Sequence, residues 1–144
     1  MEVQAEYFDI QWRSTYHPQK RFLWMKQDDA FIEFRFEVQI AGHTIPDLSS
    51  GDALNWSGLV ASKLSDGEYE IFTCSCGQMG CGKFSHVEVV HIGSRTLWYN
   101  EGEWNIFEEA VYKAAISRVE VALVELAQNH PGIPIKLVLH GLYE

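Results

Sequence analysis

At 144 residues the chain has the length of one domain with room for a core, and a hydrophobic share of 47% with 13% aromatics excludes a disordered composition. A formal charge of −9 disfavours nucleic acid and anionic membrane as partners and favours encounter with a basic protein. No apolar run approaches the roughly 20 residues that cross a bilayer, and the opening MEVQAEYFDIQW carries acids where a secretory leader carries bases. The expected location is therefore the cytoplasm. There, an odd count of three cysteines argues against a disulfide framework, and Asn55-Trp56-Ser57 has no consequence as a glycosylation acceptor.

The elements follow in chain order. Val3 to Trp12 alternates as a strand, with a change of phase near Tyr7 and Phe8 that predicts a bend or bulge. Ser14 to Lys20, with His17-Pro18, reads as a turn, and Arg21 to Met25 as a short strand. Ala30 to Ile40 is the clearest strand. Ala30, Ile32, Phe34, Phe36, Val38 and Ile40 share one face, and Glu33, Arg35, Glu37 and Gln39 share the face expected in water. Ala41 to Ser65 is loop-rich around a short helix near Ser57 to Lys63. Three strands with short turns come next: Glu68 to Cys76, Phe84 to Ile92 and Arg95 to Tyr99.

One long helix is expected from Trp104 to Asn129. Asn105 stands as its N-cap with Glu108 three residues on, and Phe107, Val111, Ala114, Ala115, Val119, Ala122, Leu123 and Leu126 form its apolar stripe. Ile135 to Leu139 is the closing strand. These elements predict a single α+β domain over residues 1–144, an antiparallel twisted sheet of about five to seven strands with the helix packed across one face.

The chain lacks the phosphate-loop, dinucleotide, zinc-protease and nucleophile-elbow patterns, so no catalytic residue is assigned. Of six histidines only His86 lies near other ligand-type residues. Thr73 to His86, TCSCGQMGCGKFSH, holds every cysteine. Three readings of it stand side by side. Cys74, Cys76, Cys81 and His86 supply four zinc ligands of suitable type, although Cys-x-Cys is tighter than the spacing of common zinc fingers. A thiol near a histidine also suits nucleophilic or redox chemistry. Reduced cysteines and glycines are, thirdly, ordinary furniture of strands and tight turns. If Gly77 to Gly80 form the tip of a hairpin, Cys76 faces Cys81 with Cβ atoms about 4.5–5.5 Å apart. Cys74 then shares their face, while His86 joins only through a bulge at Gly82.

The motif C-S-C-G-x-x-G-C, here Cys74, Ser75, Cys76, Gly77, Gly80 and Cys81, precedes the strand Phe84 to Ile92 and Trp98. This segment resembles one found in small uncharacterised bacterial proteins, some of which look like the immunity partners of bacterial toxins. The leading expectation is a non-catalytic cytoplasmic protein that binds another protein. The acidic charge favours a basic partner, and the resemblance implies the role of an immunity-like antagonist of a toxin and transfers no catalytic residue. The alternative expectation is a small zinc-binding protein with its metal on the cysteine turn.

Overall fold

The computed structural model describes residues 4–18, 20–22, 25–45, 52–74, 86–100 and 102–138. Its hub is β4 (Phe31–Ile40), whose strict alternation puts Ile32, Phe34, Phe36, Val38 and Ile40 into the core. Along one edge β4 pairs over its full length with antiparallel β1 (Phe8–His17). Its other edge is shared end to end: parallel β12 (Ile135–Val138) lies against Ile32 to Arg35, and antiparallel β5 (His43–Ile45) against Val38 to Ile40. Ala41 and Gly42 form the two-residue turn into β5, both at positive φ (52° and 84°), a combination matched to the twist of the flanking strands.

A second four-stranded sheet is antiparallel throughout, in the order β11 (Glu103–Glu108), β10 (Arg95–Asn100), β9 (Val87–Ile92), β7 (Gly67–Tyr69). The two sheets meet at Glu6, which bridges in parallel to Phe107 and donates its N–H to the Ile106 carbonyl at 2.7 Å. The next residue but one, Phe8, is fully buried against Trp98, Phe107 and Tyr112, with ring centroids 4.7–5.7 Å apart. Burying one such side chain is worth roughly 1.5–3 kcal/mol. Over this seam lies α2 (Glu109–Asn129), which inserts Tyr112, Ala115, Ile116 and Val119. The fold is thus α+β with one long C-terminal helix on mostly antiparallel strands, as the sequence predicts. The strands divide into two sheets because β1 leaves the β11 edge at Tyr7 and turns to pair with β4. Two small pairs, β2 (Lys20–Phe22) with β3 (Met25–Asp28) and β6 (Asp52–Leu54) with β8 (Phe72–Cys74), complete the strands among the described residues, and α1 (Trp56–Ala61) follows β6. No helix among the described residues is long and apolar enough to cross a membrane.

Three elements differ from the sequence reading. Trp104 to Glu108 is a strand, paired residue for residue with β10, and the helix starts at Glu109. Asn105 therefore caps nothing; its amide donates to Glu6 at 3.0 Å, and the Glu109 N–H is taken by the Ser94 carbonyl. Ser14 to His17 continues β1, held by the ladder to Phe31, Ile32, Glu33 and Phe34. The expected strand from Glu68 to Cys76 breaks after Tyr69, where α1 passes so close that a side chain at Gly58 would collide with the Glu70 carbonyl. Asn55 donates to that carbonyl at 2.7 Å. β7 stays in the large sheet, and β8 crosses to β6.

The charged face of β4 is also less watery than alternation suggests. Glu37 is 4% exposed. Half burial is tolerable because the charges are partnered: Arg35 grips Glu33 with two hydrogen bonds (2.8 and 3.1 Å), and Gln39 donates to Glu37 at 3.1 Å.

Candidate functional site

The face of the second sheet turned away from α2 is built by simple parity. Trp98, Thr96, Val87, Val89 and Phe107 point into the core, so their neighbours point outward. The registers align these neighbours in three rows across the strands. Val90, Leu97 and Ile106 stand directly opposite one another as an apolar centre. On one side lie Ile92, Arg95 and Glu108; on the other lie Glu68, Glu88, Tyr99 and Trp104. Tyr99 and Trp104 pack ring to ring at 4.7 Å. Trp104 is nevertheless 54% exposed and Ile92 61%.

Three carboxylates frame this centre against one guanidinium, and Arg95 already leans toward Glu108 at 4.0 Å. Glu68 and Glu88 are cross-strand partners, like charges placed directly opposite, which costs stability. The result is an open apolar platform with an acidic border. Chemically it can bury aromatic and aliphatic side chains and attract cations; it offers no nucleophile. Sequence reasoning missed it because Val87 to Ile92 and Arg95 to Tyr99 are apolar in both phases, so the core-facing phase is not evident. That double phase was itself the available signal.

Polar groups in the interior are structural in their chemistry. The Trp98 indole N–H donates to the Tyr112 hydroxyl (3.2 Å), and Ser62 donates to the Leu59 carbonyl (2.6 Å). Tyr112 is left to donate to Ser62. Burial pushes the Tyr112 hydroxyl up to about 12, against the opposing pull of its bonds with Ser62 and Trp98. His91 pins a junction of elements. Its Nε2 donates to the Ser62 carbonyl at 2.9 Å, and its Nδ1 lies 3.1 Å from the Thr96 hydroxyl and 3.0 Å from the Glu109 carboxylate. Its backbone N–H is taken by Asp66. On β4, the hydrogen bonds from Arg35 hold the Glu33 carboxyl below its ordinary range, with the nearby Arg35, His17 and Arg13 charges acting the same way.

Of the four residues the sequence singles out, the structure describes His86 and the backbone of Cys74. Cys74 lies opposite Asp52 in β8. Its side chain, together with Cys76 and Cys81, is outside the described residues. His86 is 58% exposed, with Nε2 3.4 Å from the Glu70 carboxylate and its carbonyl accepting from Asn100. The strand after the turn pairs with β7 and not with β8. Among the described residues no group of three or more His, Cys, Asp or Glu side chains is arranged to hold a metal ion.

No family model matches the chain, and neither a curated protein nor a solved structure matches it.

Proposed function

We propose that this is a non-catalytic protein-binding protein whose docking surface is the outward face of the β7–β9–β10–β11 sheet. The observation that carries the reading is the in-register row Val90, Leu97 and Ile106, with exposed Trp104 beside it and Glu68, Glu88 and Glu108 at the border. An aromatic anchor beside an aliphatic centre with a charged rim is the anatomy of an interface that binds through a few residues. The acidic border, on a chain of charge −9, selects a partner with a basic rim and accelerates its capture. The immunity-like resemblance sharpens this to a basic toxin neutralised by the complex.

The test is purification of the tagged full chain from its source cells beside the variants Leu97→Asp and Trp104→Ser. A basic protein, identified by mass spectrometry, is retained by wild type and lost from both variants, while Val121→Asp on the helix keeps it. Retention by all four chains, or a partner of acidic charge, overturns the assignment. For the toxin reading, co-expression relieves growth arrest caused by the identified partner, and Leu97→Asp does not.

A further inference from the structure

His91 stands where β9 meets β10, the start of α2 and the end of α1, and both nitrogens of its ring are engaged. Nε2 lies 2.9 Å from the carbonyl of Ser62, a fully buried residue. A carbonyl can only accept, so Nε2 carries a proton in every state that keeps this bond. Nδ1 has two neighbours, the Thr96 hydroxyl of β10 at 3.1 Å and the Glu109 carboxylate of α2 at 3.0 Å. Their demands are opposite. In the neutral ring Nδ1 is an acceptor and takes the hydroxyl proton of Thr96; the carboxylate then faces a lone pair with no proton between them. In the imidazolium Nδ1 donates to Glu109, and the hydroxyl of fully buried Thr96 gives up its acceptor. One proton thus decides whether this ring ties β9 to α2 or only to its neighbour strand.

Three ionisable groups among the described residues surround His91. From α2 come Glu109 and Lys113, whose Nζ is 3.4 Å from the same Glu109 oxygen that the ring meets. From the connection between α1 and β7 comes Asp66, whose carboxylate accepts the His91 backbone N–H at 2.7 Å. β10 contributes Thr96, which carries no charge. Two carboxylates and one ammonium leave one negative charge, which an imidazolium cancels. Burial opposes the second proton, since the side chain is 12% exposed. We propose that His91 is a proton-operated latch between the second sheet and the start of α2. The protonated ring grips Glu109 and holds the helix to β9. The neutral ring turns to Thr96 and releases the carboxylate to Lys113, its partner four residues along the helix. The grip is present in mild acid and is lost as pH rises. It lies behind Val90 and Ile92, on the other side of β9 from the docking face, and does not depend on that face binding a partner.

The test is amide hydrogen exchange on the full chain at about pH 5.5 and about pH 8, an interval in which histidines change charge, with rates corrected for intrinsic exchange. The reporter is the Glu109 N–H, bonded to the Ser94 carbonyl at 2.8 Å. In wild type its protection at the lower pH exceeds that at the higher by about threefold or more. Heteronuclear NMR of the ring shows Nδ1 gaining a proton over the same interval while Nε2 keeps its own. Glu109→Gln removes the carboxylate, and the protection ratio falls to about one. His91→Gln keeps a donor for the Ser62 carbonyl and has the same effect on the ratio. Urea midpoints establish that both variants are folded. Thr96→Val removes the partner of the neutral ring, so strong protection persists to a higher pH than in wild type. A histidine with a merely structural role would not move in this way. Equal ratios in wild type and Glu109→Gln overturn the latch, because the pH effect then arises elsewhere. So does an Nδ1 whose protonation is the same at both pH values, or a Thr96→Val chain that loses protection at lower pH than wild type.

Discussion

The hydroxyl groups of Ser62 and Tyr112, 50 residues apart in sequence, hydrogen-bond at 2.5 Å inside the core. They form the middle of a one-way chain from the Trp98 indole to the Leu59 carbonyl. Every donor in it is used, so α1, β10 and α2 are tied through side chains that would be costly to bury unpaired. Tyr112→Phe strands the Trp98 N–H and is expected to cost about 1–3 kcal/mol, read as a lower urea midpoint at unchanged slope.

Tyr112 also gives the fold an alkaline limit. Its hydroxyl is held neutral to about 12 in the folded chain, against 10.0 ordinarily. Because the folded value is the higher one, the stabilisation is complete below pH 10 and is lost as pH rises from 10 towards 12. A shift of that size corresponds to roughly 3 kcal/mol in all. Unfolding experiments across this range should show the loss in wild type and a shallower decline in Tyr112→Phe.

On the acid side the relation reverses. Arg35 depresses the Glu33 carboxyl below 4.5, so the contribution of this pair is present above pH 4.5 and disappears as pH falls through the folded value. Glu33→Gln should lower stability at neutral pH and flatten the part of the acid limb below pH 4.5. Thermal melts of the two chains at several pH values provide the check, with the difference between them shrinking as the medium is acidified.

Much of the architecture was legible because periodicity reports on burial. The β4 alternation has one apolar phase, and that strand forms as expected. The long helix also forms, but from Glu109, and beside Ala115 and Val119 it buries Tyr112 and Ile116, which the predicted stripe does not include, while Ala114 of that stripe is exposed. Trp104 to Glu108 was ambiguous: Phe107 fits the helical stripe of Val111 and Ala114, and it equally fits a strand facing Thr96. Only pairing with β10 decides between them. The break after Tyr69 was invisible because it depends on Gly58, twelve residues earlier, approaching the Glu70 carbonyl. The platform was hidden for a related reason. Val90, Leu97 and Ile106 become neighbours only once three strands are in register, whereas the cysteine turn draws attention by composition alone.

Gly58 provides a test of that close approach. A methyl group there meets backbone, the Glu70 carbonyl oxygen and carbon, and cannot be relieved by rotating a side chain. Gly58→Ala should cost about 1–3 kcal/mol or more. Gly93→Ala is the comparison, since its surroundings are open and only its φ of 60° opposes a side chain; a cost near 1 kcal/mol is expected. Equal midpoints for the two variants in chemical denaturation would contradict the packing argument.

The opposed pair Glu68 and Glu88 separates a surface kept for binding from one that is merely solvated. Two exposed carboxylates facing each other across β7 and β9 weaken that pairing, and exchanging one for a cation should recover up to about 1 kcal/mol. Glu88→Lys is therefore expected to raise the melting temperature slightly. On the proposed docking face the same change places a positive charge beside Tyr99 and Trp104, where a basic partner must approach. It should slow association and steepen neither salt dependence nor dissociation, since rim charges act mainly on the rate of encounter. Stopped-flow association of the captured partner, set beside the melting curves, reads both effects. A variant that is more stable and associates as fast as wild type would remove the acidic border from the binding surface.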